Sequence, residues 1–236
     1  MMAGDNKDPS ESGSKYPKML TEINGKPMVE VVIDNLKPLL DTKNKAIFVI
    51  RKDDNDKCYL GNIIKLIIPH AHVITIENET SGAALTALLA IEVMDDSLPL
   101  LLVNGDQILD CNLREILQEF NQKSVDSGVV TFKSVHPRWS YVKVDDLGLV
   151  VEAAEKKPIS NNATAGFYYY KKTLEFITYT KRMILKDGHV NGLFYICPVF
   201  NEMILDQKKI TTFEVSADKY HSLMSLDKIK QFELLC

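Results

Sequence analysis

The strongest constraint on the fold of this chain is an alternation of strand-like and helix-like segments. Residues 45–51 (KAIFVIR), 71–77 (AHVITIE) and 98–104 (LPLLLVN) are short runs rich in apolar and β-branched side chains, and each follows a stretch of helical pattern, at residues 29–40, 58–67 and 82–94. Continuous apolar runs of this length read as strands buried on both faces, as in a parallel sheet, and the intervening helices permit the right-handed crossovers that such a sheet needs. Residues 52–56 read as a polar turn. The first half thus predicts a doubly wound α/β layer structure.

The second half changes character. Residues 129–134, 141–144, 149–154 and 165–170 are short strand-like runs separated by Gly148 and by polar turns such as 159–162, and helical patterns follow at 172–185, 199–205 and 225–235. There is no internal repeat, low-complexity tract or Pro/Gly-rich linker, while residues 5–14 (DNKDPSESGS) are polar enough to be mobile. The expected organisation is one domain over 1–236, with a nucleotide-binding half at 1–110 and an acceptor-binding half at 111–236. Its expected class is α/β, a three-layer α/β/α Rossmann-like arrangement around a mixed, mostly parallel sheet.

Charge and apolar length exclude several function classes. With 28 Lys+Arg against 32 Asp+Glu the net charge is −4 and no basic block is present, which argues against a nucleic-acid partner. The longest apolar stretch, residues 98–103, contains Pro99 and is far short of the ~20 residues of a membrane span. The beginning Met-Met-Ala-Gly-Asp has neither a basic leader nor an apolar targeting region. Cys58, Cys111, Cys197 and Cys236 are widely spaced, as in a chain kept reduced, so the expected setting is cytoplasmic.

Two segments carry chemistry. Gly13-Ser14-Lys15-Tyr16-Pro17-Lys18 joins a small-residue turn to two lysines, and backbone N–H groups in such a loop can point at phosphate oxygens while a lysine supplies the cation. The same residues also fit a solvated loop with surface lysines. Val103-Asn104-Gly105-Asp106-Gln107 sets a carboxylate at the end of an apolar run, where open α/β sheets bind ligands and where Mg²⁺ is held by one or two carboxylates plus phosphate oxygens. Asp106 can equally cap the next helix, although Asp110 and Asn112 are also placed for that.

In this order the segments resemble the sugar nucleotidyltransferases, the nucleoside-diphosphate-sugar pyrophosphorylases that include glucose-1-phosphate thymidylyltransferases. The likeness is carried by Ala3-Gly4, the 13–18 segment, Asn24-Gly25-Lys26-Pro27-Met28, Thr80-Ser81-Gly82-Ala83-Ala84, Gly105-Asp106-Gln107, Glu155-Lys156-Lys157-Pro158, Gly166-Phe167-Tyr168-Tyr169 and the run from Asn191 to Asn201. It spans almost the whole chain. The resemblance implies that Ala3, Gly4, Gly13, Ser14 and Lys15 bind the nucleotide, that Lys18 neutralises the reacting phosphates, and that Glu77 and Gly82 meet the nucleobase. By the same resemblance Asp106 holds Mg²⁺, and Glu155, Lys156 and Gly166 hold the acceptor.

Three departures accompany the likeness. Extra polar residues separate Gly4 from Gly13, and Lys15 stands where the family has an arginine, keeping the charge but losing the bidentate fork. The strand that precedes Ala-Gly in the family has no counterpart ahead of Ala3. The family's second aspartate near the C-terminus has no carboxylate at the matching place, nearest Ser222, and Asp218 is the one candidate to compensate.

The implied activity joins a nucleoside triphosphate and a sugar 1-phosphate, releases pyrophosphate and feeds surface polysaccharide assembly, with homo-oligomerisation left open. A cytidylyltransferase for a non-sugar phosphate such as phosphocholine, and a non-catalytic nucleotide-sugar-binding paralogue, are the alternatives.

Overall fold

The computed structural model describes residues 16–41 and 43–235. In chain order its early elements are β1 (Glu22–Ile23), β2 (Lys26–Pro27), α1 (Met28–Leu36), β3 (Ile47–Arg51), α2 (Lys52–Cys58), α3 (Leu60–Ile67), β4 (His72–Ile76) and α4 (Ala83–Leu88). Then come β5 (Leu100–Val103), β6 (Gln107–Leu109), α5 (Leu113–Gln122), β7 (Ser127–Lys133), β8 (Ser140–Val144), β9 (Val150–Glu155) and β10 (Asn162–Tyr170). The last are α6 (Thr173–Leu185), α7 (Val199–Leu205), β11 (Ile210–Glu214), β12 (Tyr220–Ser222) and α8 (Leu226–Glu233).

These elements form two compact units. One is assembled from the residues up to Glu79, from Asn104–Leu113 and from Lys219 onward; the other comprises Thr80–Val103 and Arg114–Asp218.

In the first unit, Asn24 and Gly25 take φ of 48° and 79°, the left-handed pair that a two-residue hairpin needs, and so turn β1 back onto β2. Pro27 then starts α1, which buries Met28, Val29, Val32 and Ile33 along one stripe. That stripe packs with Ile50, Leu60, Ile64, Ile108, Leu223 and Ile229 in one apolar cluster. β3 and β4 pair in parallel, as a crossover through two helices requires. Residues 52–56, expected as a turn, are instead the body of α2: Asp53 and Asp54 favour a helix start, Lys57 pairs with Asp53 one turn earlier, and Tyr59 at φ 55° ends the helix before α3. β4 is also less buried than a two-faced core strand, with His72 and Thr75 exposed.

The second unit carries a six-stranded sheet in the order β11-β7-β10-β8-β9, with β5 also pairing β10. β10 is buried from Ala163 to Tyr170, so its aromatic run is core, as the sequence implies. The sheet is mixed, as expected, but its weight is not parallel: among the described residues β3/β4 and β7/β11 are parallel ladders, while the ladders of β10 with β5, β7 and β8 and of β8 with β9 are antiparallel. The cause is connectivity, since β8 and β9 are joined by a short loop at Asp145–Gly148, too short for the crossover a parallel neighbour needs. Asn201 on α7 bonds both Ala153 N–H and Ala153 C=O on β9, at 2.9 and 2.8 Å, which gives that motif asparagine a structural reason.

Candidate active site

In the first unit, β6 is held on both sides. β12 pairs with it antiparallel, Ser222 opposite Gln107, and just beyond the ladder Leu223 N–H donates to the Asp106 carbonyl at 2.8 Å. From α1, the Asn35 amide bonds the Leu109 carbonyl at 2.9 Å and accepts from Leu109 N–H at 3.2 Å. Asp106 therefore leaves a backbone fixed by neighbours, and its side chain stays only 30% exposed. Lys18, in the single helical turn Lys18–Leu20, reaches it: Nζ lies 2.9 Å from Oδ2. These are two expected site residues, far apart in sequence, that the described structure brings into direct contact.

Tyr220 feels the charge of the same carboxylate. Burial, with the Asp106 charge beside it, pushes its phenol well above the ordinary tyrosine range, so it stays a neutral hydroxyl. Sequence reasoning gave Tyr220 no role; the structure sets it in β12, opposite Leu109 of β6.

Among the described residues no group of three His, Cys, Asp or Glu side chains could hold a metal ion. The place of the absent second carboxylate, Ser222, does lie in the strand beside Asp106. One partly exposed carboxylate with Lys18 on Oδ2 fits Mg²⁺ in the way phosphate-transfer sites usually hold it, with most of the shell supplied by phosphate oxygens and water.

Glu77 follows β4, is exposed, and pairs with Lys52 Nζ at 3.0 Å. Ala3, Gly4, Gly13, Ser14 and Lys15 lie outside the described residues.

In the second unit, Gly82 precedes α4 at φ 112°, and a Cβ there would stand 2.3 Å from the Phe194 carbonyl oxygen. Ala84 N–H donates to that oxygen at 3.0 Å and Phe194 N–H donates to Ser81 C=O at 2.7 Å, so glycine is demanded by close backbone approach. Gly166 takes φ 58° at the bulge between Thr164 and Tyr168, which lifts the intervening residues of β10 out of the β7 ladder.

Glu155 ends β9 directly opposite Ser140 on β8, and the Ser140 hydroxyl donates to its Oε2. Burial raises the Glu155 carboxyl above the usual range, while the Ser140 bond and the Lys156 charge pull the other way. Lys156 takes φ 53°, in the left-handed region, and its N–H donates to the Trp139 carbonyl at 3.0 Å. Its Nζ bonds Tyr195 Oη at 3.0 Å, 5.2 Å from that ring's centre. The Tyr195 bond holds the ammonium pKa above its ordinary value. Ser140 and Tyr195 were not foreseen, because no local pattern links them to the Glu155-Lys156 pair.

The model of the nucleotidyl transferase family matches residues 12–193. The chain belongs to the nucleotidyl transferase family. It is 30% identical over 171 residues to the bifunctional protein GlmU of Methanocaldococcus jannaschii, covering 70% of this chain and 38% of that protein. A GlmU of Pseudothermotoga lettingae is 24% identical over 198 residues, covering 79% and 41%, so the chain spans about two fifths of the curated relatives it matches. In fold it is similar to a nucleoside-diphosphate-sugar pyrophosphorylase from Vibrio cholerae RC9, with a TM-score of 0.86, 20% identity and coverage of 99% of this chain and 98% of that one. Among the described residues no helix is long and apolar enough to cross a membrane.

Proposed function

We propose that the protein transfers a nucleotidyl group from a nucleoside triphosphate to a sugar 1-phosphate and releases pyrophosphate in a Mg²⁺-dependent reaction. The observation that carries this reading is the Lys18–Asp106 contact at 2.9 Å. In a family of nucleotidyl transferases, gathering mutually repelling phosphates requires cations: the lysine ammonium is one, and the carboxylate beside it is the group that would hold a second, Mg²⁺. A sugar 1-phosphate is already anionic at neutral pH, its second pKa being about 6, so attack on the α-phosphorus needs no general base. Repulsion between polyanions is the obstacle.

In this reading Lys18 meets charge that develops on the departing pyrophosphate. Asp106 is the residue that would hold Mg²⁺, which when bound supplies neutralisation of phosphate charge and polarisation of the P–O bonds. Glu77 and Gly82 serve the nucleobase; Glu155, Lys156 and Gly166 serve the acceptor. The notion of a phosphocholine acceptor is disfavoured at Trp139, where the Arg138 guanidinium lies 5.7 Å from the ring centre. A quaternary ammonium would have to displace that guanidinium.

The test is pyrophosphate release with each nucleoside triphosphate against a panel of sugar 1-phosphates, inositol 1-phosphate and phosphocholine, with and without Mg²⁺. Turnover with a sugar phosphate is expected. Binding without turnover on every pair would favour a non-catalytic paralogue, and preference for phosphocholine would reverse the acceptor assignment.

A further inference from the structure

We infer that Ser140 and Tyr195 are positioning residues that divide acceptor recognition in two: Ser140 aims the Glu155 carboxylate at the hydroxyl groups of the acceptor, and Tyr195 aims the Lys156 ammonium at its phosphate. This rests on the proposed sugar phosphate chemistry and goes beyond it by naming the residues that hold Glu155 and Lys156 in place.

The geometry for the first half is a cross-strand pair. Ser140 and Glu155 face each other in the β8/β9 ladder, and the serine hydroxyl takes Oε2. One oxygen is thereby fixed by the fold, which leaves Oε1 to accept from a ligand hydroxyl. A carboxylate with no such partner would sample several rotamers and lose entropy on each binding event.

The second half is a held cation. Lys156 leaves β9 in a left-handed conformation that a non-glycine residue adopts only at a cost of about 1 kcal/mol or more, compensated by the N–H bond to the Trp139 carbonyl. Tyr195 fixes the far end of the side chain by its hydroxyl, 3.0 Å from Nζ. An ammonium has three donors and Tyr195 uses one, so two remain for phosphate oxygens.

Trp139 is the chain's one tryptophan, and its carbonyl is tied to Lys156, so its fluorescence reports on this place. The experiment titrates Ser140→Ala, Ser140→Thr, Tyr195→Phe and the parent protein with glucose 1-phosphate, N-acetylglucosamine 1-phosphate and inositol 1-phosphate, and separately with inorganic phosphate. Loss of one charge-assisted hydrogen bond predicts a weakening of about tenfold. Ser140→Ala should show it for the tightest phosphorylated polyol and not for inorganic phosphate; Tyr195→Phe should show it for both; Ser140→Thr should restore parent affinity.

Equal weakening of both ligands by Ser140→Ala, no change in either variant, or no binding of any probe to the parent protein overturns the inference. Melting temperatures within a few degrees of the parent exclude misfolding as the cause, and a drop in melting temperature that tracks the affinity loss also overturns it. The readout is independent of turnover: a protein that binds as described but releases no pyrophosphate refutes the proposed function and keeps this division of labour, while one that turns over with unchanged titrations does the reverse.

Discussion

Lys18 and Asp106 lie 88 positions apart in sequence, yet the ammonium rests 2.9 Å from the carboxylate, with side chains 15% and 30% exposed. The pair is sheltered enough to be well defined and open enough for a polyphosphate to reach it. Neither group has a reason to be here for packing, since the apolar cluster of this unit is built from other residues.

Replacing the carboxylate tests the metal side of that pair. Asp106→Asn should lower Mg²⁺-dependent pyrophosphate release on the order of 10² to 10³-fold, because the anionic oxygen that would hold the metal is lost. Asparagine still accepts from Lys18, so stability should change by about 1 kcal/mol or less. Parallel activity and urea denaturation series decide this, and an active variant would remove Asp106 from the chemistry.

Lys18→Ala separates docking from catalysis. If the ammonium acts on charge that grows as pyrophosphate leaves, kcat should fall far more than triphosphate affinity. Steady-state kinetics beside direct nucleotide binding give both numbers. Equal losses would reduce Lys18 to a docking contact.

Much of this was legible in the chain itself. Apolar runs of period two or continuous character marked β3, β5, β7 and β10, and Gly105-Asp106-Gln107 marked the carboxylate, because these signals are local. What escaped was non-local. β12 is three residues long and pairs with β6 more than a hundred positions away, so neither strand has enough periodicity to announce itself, and Tyr220 went unseen with them. α2 escaped for a different reason: its residues are polar turn formers by composition, and the acidic first turn that stabilises a helix there outweighs their propensity. The two units are also assembled from separated segments, whereas a linear reading cuts only at single points.

Gly82→Ala tests the backbone approach to Phe194. A methyl group there would meet the Phe194 carbonyl oxygen at 2.3 Å and the residue would have to hold φ 112°, so a loss on the order of 2 to 3 kcal/mol is expected. Chemical denaturation reads the loss. A variant as stable as the parent would mean that the two strands of backbone are not packed as described.

The last prediction follows from the buried Glu155 carboxyl. Burial is the largest influence and raises its pKa above the ordinary 4.5, with Ser140 and Lys156 opposing. The folded state then holds this proton more tightly than the unfolded chain does. Its contribution to stability is therefore fully present below pH 4.5 and is lost as pH rises through the elevated folded value. Glu155→Gln removes that titration, so thermal unfolding of the two proteins from pH 4 to pH 8 should diverge: the parent loses melting temperature relative to the variant as pH increases across this window. A constant difference would show that Glu155 titrates alike in both states, and a difference of opposite slope would mean that Lys156 and Ser140, rather than burial, govern the carboxyl.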